Sequence, residues 1–172
     1  MALDRQALAR LSGQRLAAAA ELLALASACS ARASREPLQR AIAAELACAL
    51  QWHLLSVLPE PSRWSEQTTL VELCDYYVSA EANAHDAVTI ELQQLAGADS
   101  WLVELARAGY QAYHYLSPAA QASDATVDRL VVVNLSGKQW LQPVDWSVAA
   151  AQRWYDGSAE MIMRHREQAV EC

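Results

Sequence analysis

The sequence predicts an all-α fold, an up-down bundle of about five helices, and three observations carry that expectation. Apolar residues recur every three to four positions through nearly everything except Leu116 to Pro143, the period of an amphipathic helix. The five prolines, Pro37, Pro59, Pro61, Pro118 and Pro143, stand at the edges of the periodic segments. The connections between those segments are short, which makes neighbouring helices antiparallel, and no repeat occurs at a solenoid period. With 172 residues the chain suits one domain, 1–172, able to bury roughly 70% of the surface of its unfolded form.

The first helix is expected over residues 4–31, with Leu8, Leu11, Ala18, Leu22, Leu25 and Cys29 as one stripe and Arg5, Gln14, Glu21 and Arg32 elsewhere. A polar break from Ser30 to Glu36 leads to Pro37, which suits a first turn because its missing N–H would be unpaired there. Helix two then runs to about Leu58, buries Leu38, Ile42, Leu46, Leu50 and Leu54, and stops at Pro59-Glu60-Pro61. Ser65 or Thr68 caps a third helix whose stripe is Leu70, Leu73, Tyr77, Ala84, Val88, Leu92 and Leu95, and Gly97 ends it. Asp99 is placed to cap a fourth over residues 100–116. The β-branched run Val127 to Leu135, followed by Ser136-Gly137 and Trp140-Leu141, reads as a short extended or hairpin excursion near 127–142. An isolated hairpin is marginal in water, so this excursion must pack on the bundle or on another subunit. Pro143 and Asp145 open a last helix to about Glu171, with Val148, Ala151, Tyr155, Ile162, His165 and Ala169 along one side.

Composition excludes several functions. A hydrophobic content of 53% with 19% charged residues describes a compact globular chain. A formal charge of −7 opposes nucleic acid and anionic membranes, and no stretch gathers Lys and Arg on one surface. No apolar run reaches the ~20 residues that span a bilayer. The run Leu16–Ala28 before Cys29 has the outline of an export signal, but Glu21 interrupts it and Ala26 stands where such sites carry a bulky aliphatic residue. The cysteines Cys29, Cys48, Cys74 and Cys172 lie far apart without zinc spacing, which points to free thiols in a reducing cytoplasm. Six tryptophans and no phenylalanine place Trp52, Trp101 and Trp154 at the edge of the core and Trp64, Trp140 and Trp146 in connections, because an indole N–H wants a partner.

The polar residues that offer chemistry are few. Glu81 and His85, four apart on the third helix, share a face beside the apolar stripe and form the best metal candidate. Glu45 and His53, eight apart on helix two, share a face as well and would meet the first pair across the bundle, as carboxylates and imidazoles do in metal-binding bundles. Neither pair has the Glu-x-x-His spacing of di-iron bundles. The plain alternative is that Glu81 and His85 are a helix-surface pair and His53 a satisfied boundary histidine. His114, among tyrosines, and His165, between Arg164 and Arg166, read as surface groups. No Gly-x-Ser-x-Gly elbow occurs, and Tyr110, Tyr113 and Tyr115 read as helix packing.

Leu11-Ser-Gly-Gln14-Arg15-Leu16, the Glu45 to Leu55 segment with Trp52-His53-Leu54, and Met163-Arg164-His165-Arg166-Glu167 together resemble a family of small all-α proteins from gammaproteobacteria. The resemblance spans most of the chain in order and length and implies an all-α fold with no assigned activity. Trp52-His53-Leu54 is also similar to a segment of the DinB-like metal-binding bundles, whose second pair of histidines on a later helix this sequence lacks. The expected function is therefore a non-catalytic interaction or accessory protein without a cofactor, self-associating or bound to a protein partner. The alternative is a metal-dependent bundle enzyme, DinB-like or ferritin-like, using Glu45, His53, Glu81 and His85.

Overall fold

The computed structural model describes residues 4–30, 32–59, 63–78, 86–97, 99–113 and 140–170. Six α-helices make up its regular structure, α1 (Arg5–Ala28), α2 (Arg32–Val57), α3 (Leu70–Val78), α4 (Ala87–Ala96), α5 (Trp101–Tyr113) and α6 (Val148–Val170), with no strand among the described residues. The fold is all-α, as the periodicity requires. The excursion expected at 127–135 lies outside the described residues.

Local chemistry sets the ends of these helices. Asp4 caps α1 by accepting from the Ala7 N–H at 3.0 Å. The third helix of the sequence reading is two elements, because Asp86 is extended and caps α4, its carboxylate accepting from the Thr89 N–H at 2.9 Å and the Thr89 hydroxyl at 2.6 Å. That cap is why the described residues hold six helices where five were expected. Thr69, one residue past the expected cap, opens α3 through a reciprocal capping box with Glu72. Ser100 takes the position expected of Asp99, and Ser147 caps α6, accepting from the Ala150 N–H at 3.0 Å. Pro37 lies inside α2 rather than in its first turn. Arg35 donates from Nε to the Cys29 carbonyl at 2.8 Å, tying the start of α2 back to the end of α1.

Helix α2 is the axis of the bundle, and its expected face is its actual one. Ile42, Leu46, Leu50 and Leu54 are all buried. Helix α1 runs antiparallel to it: Arg5 donates to the Leu58 carbonyl at one end, and Arg15 grips Glu45 nearer the middle. The buried face of α1 is Leu8, Ser12, Ala19, Leu23 and Ala26, turned about one residue from the expected stripe so that Leu25 points out. This helix is apolar almost all round, so the period alone selects no face; Ala19 and Ala26 let α2 approach, and that contact makes the choice. Helix α6 runs alongside α2 in the same direction, with Arg40 over Trp146 near one end and His53 against His165 near the other. Helix α5 meets α6 antiparallel, pairing Glu104 with Arg153 and laying the Trp101 ring across Gly157.

Two tryptophans go deeper than expected, while Trp52, Trp64, Trp101 and Trp146 are partly buried at the edge of the core. Trp154 is fully buried, with its indole N–H donating to Glu104 at 3.3 Å, and Trp140 is buried with its N–H on Asp75 at 3.3 Å. Each found a carboxylate partner inside the fold, which removes the cost that would have held it at the edge. Gln111 holds the Trp140 segment in place by donating to the carbonyls of Trp140 and Gln142.

Helices α2 and α5 cross at Gly109, where an added Cβ would lie 2.5 Å from the Ala47 Cβ. Gly109→Ala is expected to destabilise the fold by about 1–2 kcal/mol net, since overpacking at a helix crossing exceeds the ~1 kcal/mol gain in helix propensity. Gly13→Ala, whose new methyl meets only the Arg166 guanidinium at 3.5 Å, serves as the control and should stabilise by about 0.5–1 kcal/mol. Urea midpoints of the two variants check the contrast, and a neutral or stabilising Gly109→Ala would contradict the close crossing.

Candidate functional site

Two features gather the polar groups of the molecule. The first is a chain of side chains across α2, α4 and α6. His53 and His165 stack with ring centroids 5.1 Å apart and planes 17° from parallel, and His53 Nε2 lies 2.9 Å from His165 Nδ1. The other nitrogen of His165, Nε2, is 3.1 Å from Glu91 Oε2, while Glu91 Oε1 accepts from Arg164. A carboxylate only accepts, so the His165 Nε2–H donates to Glu91, while the bond between His53 Nε2 and His165 Nδ1 takes its direction from the tautomers of the two rings.

Both imidazoles are buried. Burial, then the neighbouring His165 and the positive Arg166, pushes the His53 pKa down to about 3. His53 is neutral at physiological pH and acts there as a hydrogen-bonding group. Glu91 is partly exposed, so the chain runs from the core at His53 to the rim at Glu91 and Arg164.

The second feature is an apolar cleft of about 480 Å³ between α2, α3 and α5. Ala47, Ala106 and Gly109 form its floor, and Trp52, Leu70, Val71, Tyr110 and Tyr113 its sides. At one end Cys48 Sγ and Tyr113 Oη are 2.7 Å apart. Burial and the bond to Cys48 raise the Tyr113 pKa, so its hydroxyl stays protonated. Just outside, Arg15 binds both oxygens of Glu45, at 2.9 and 3.0 Å, and lies 5.3 Å from the centroid of Trp52. Cys74 is a different kind of thiol: burial, with help from Asp75, pushes its pKa up to about 12 and leaves it an inert core residue.

Of the residues expected to hold a metal, Glu81 and His85 lie outside the described residues. Glu45 and His53 are not brought together. Eight helical residues separate them by about 12 Å of rise, too far to share one ion. Glu45 is instead the partner of Arg15 and His53 the partner of His165. Among the described residues no group of three or more His, Cys, Asp or Glu is arranged to hold a metal ion.

His165, expected at the surface between two arginines, is the main correction. It belongs to the buried stripe Trp154, Ser158, Met161, Ile162 and His165, whose spacing of three and four was visible in the sequence. The expected side of this helix already ran through Ile162 and His165, and the flanking arginines occupy other faces of the helix. Glu91 carries no comparable signal, since only the fold brings it to His165 from 74 residues away.

No protein-family model matches this sequence, and no curated protein or solved structure is similar enough to match it. Among the described residues, no helix is long and apolar enough to cross a membrane.

Proposed function

We propose that this chain is a non-catalytic interaction or accessory protein of the cytoplasm that self-associates. One observation supports the reading above others: of the groups that offered chemistry in the sequence, the two within the described residues, Glu45 and His53, are each already bonded to another side chain. His53 is neutral and bonded to His165, His165 to Glu91, and Glu91 to Arg164, while Glu45 is held by Arg15. Each such bond contributes stability and a defined geometry between helices. Leu25 on α1 and Met163 on α6, both more than half exposed, supply apolar surface for a second copy. The described cysteines Cys29, Cys48 and Cys74 form no disulfide with one another, which suits a reducing compartment. The proposed kinship with small all-α gammaproteobacterial proteins agrees with this reading.

A metal-dependent bundle enzyme is the second reading, and it is favoured by the histidine pair alone. Two imidazoles from different helices face each other, one backed by a carboxylate, an arrangement that metal-ligating histidines also use. Sedimentation velocity over a wide concentration range, combined with elemental analysis of protein purified without chelator, separates the two. The expected result is a metal-free dimer. A monomer at every concentration removes the self-association, and stoichiometric iron, zinc or manganese transfers the assignment to the enzyme.

A further inference from the structure

We propose that the cleft between α2, α3 and α5 is a binding site for a lipophilic cation, a molecule with an apolar body and an ammonium head. The cleft's volume, about 480 Å³, is that of a small-molecule site, and its surface is mostly apolar. Size and apolarity alone would admit any greasy ligand. Charge and aromatic rings narrow the class.

Three rings, Trp52, Tyr110 and Tyr113, stand around the space, and a ring face attracts positive charge. The protein already uses this: the Arg15 guanidinium sits 5.3 Å from the Trp52 centroid at the end of the cleft. That cation is neutralised by its two bonds to Glu45. Glu66, on the rim, has no ion-pair partner among the described residues, although its backbone carbonyl accepts from Gln51 at 3.4 Å. Among the described residues that line the cleft, Glu66 is the one that carries a charge, and it stands beside an aromatic-sided apolar space. An ammonium head satisfies Glu66 and lies against the tyrosine faces, while an alkyl body covers the floor at Ala47, Ala106 and Gly109. An anionic head would meet Glu66 with no cationic side chain among the described lining residues to offset it, and a neutral head would forgo both attractions.

The test uses the full chain and three probes that share an octyl tail: octyltrimethylammonium, 1-octanol and octanoate, titrated by calorimetry. The ammonium is expected to bind, with octanol about tenfold weaker, the size of a partly desolvated cation–π and ion contact, and octanoate weaker still. Glu66→Gln, at an exposed position that leaves the core intact, should bring the ammonium down towards octanol without changing octanol itself. Tyr110→Leu keeps the apolar wall and removes the ring, and should likewise reduce the preference for the cation. Equal affinity for ammonium and octanol, a Glu66→Gln protein with unaltered preference, or no binding of the ammonium overturns the proposal.

Discussion

Replacing His165 by alanine is expected to lower the unfolding free energy by about 3 kcal/mol or more, from the cavity left in a packed core together with the cost of unpaired buried polar groups. The ring it removes is almost wholly buried between α2, α4 and α6 and bonded at both nitrogens. Without it His53 Nε2 faces a void, and Glu91 loses its imidazole partner and keeps Arg164. His165→Gln retains a donor and an acceptor at similar reach and should recover part of the loss. Urea unfolding at pH 8, where both imidazoles are neutral in the unfolded chain, measures the difference free of titration. A loss below about 1 kcal/mol, the range of an ordinary surface substitution, would mean that the histidine chain is not the seam it resembles.

The second large effect is acid sensitivity, and its sign follows from His53. In the unfolded chain a histidine takes up a proton near pH 6.5, whereas in the fold His53 does so only at about 3. Between these values the unfolded state holds one more proton than the native state, so stability rises with pH across that window. The contribution is complete above about pH 6.5 and is lost as pH falls, at up to about 1.4 kcal/mol per pH unit. Carboxylates add their own losses at lower pH, so the informative interval is pH 6.5 to 5. His53→Gln keeps a donor towards His165 and removes the titration. In that interval its stability should depend on pH less steeply than that of the parent by about the same 1.4 kcal/mol per unit. Parallel slopes for the two proteins would show that His53 takes up its proton in the fold over the same pH range as in the unfolded chain.

Much of the architecture was legible in the sequence because it is local. The face of α2 was readable from Ile42, Leu46, Leu50 and Leu54, since a spacing of four aligns these large apolar side chains in one stripe. Two helix starts were readable to within a residue, Thr69 in place of Thr68 and Ser100 in place of Asp99, whereas α2 begins at Arg32 ahead of Pro37, α1 ends at Ala28 rather than 31, and α6 begins at Val148 after Pro143 and Asp145. A short oxygen-bearing side chain anywhere in such a cluster can cap, and the choice depends on which backbone turns first. Where local preference is degenerate the reading slipped. The all-round apolar α1 offered no unique stripe, and the continuous period of residues 70–95 concealed a cap at Asp86 whose side chain competes with the helix it interrupts.

The candidate site was hardly legible, and the reason is distance along the chain. His53 and His165 are 112 residues apart, and the period of each helix says only that both rings face inward, not that they face one another. The cleft depends in the same way on α2 and α5 crossing at Ala47 and Gly109, which brings Trp52, Tyr110 and Tyr113 around one space. By itself the sequence determined the helical class, the central face of α2 and the approximate ends of the helices, because periodicity and capping act within a few residues. Only the tertiary structure decided which polar groups meet, since the pairing of His53 with His165 and of Glu45 with Arg15 follows from how the helices align, and that alignment is set by the packing of the whole core.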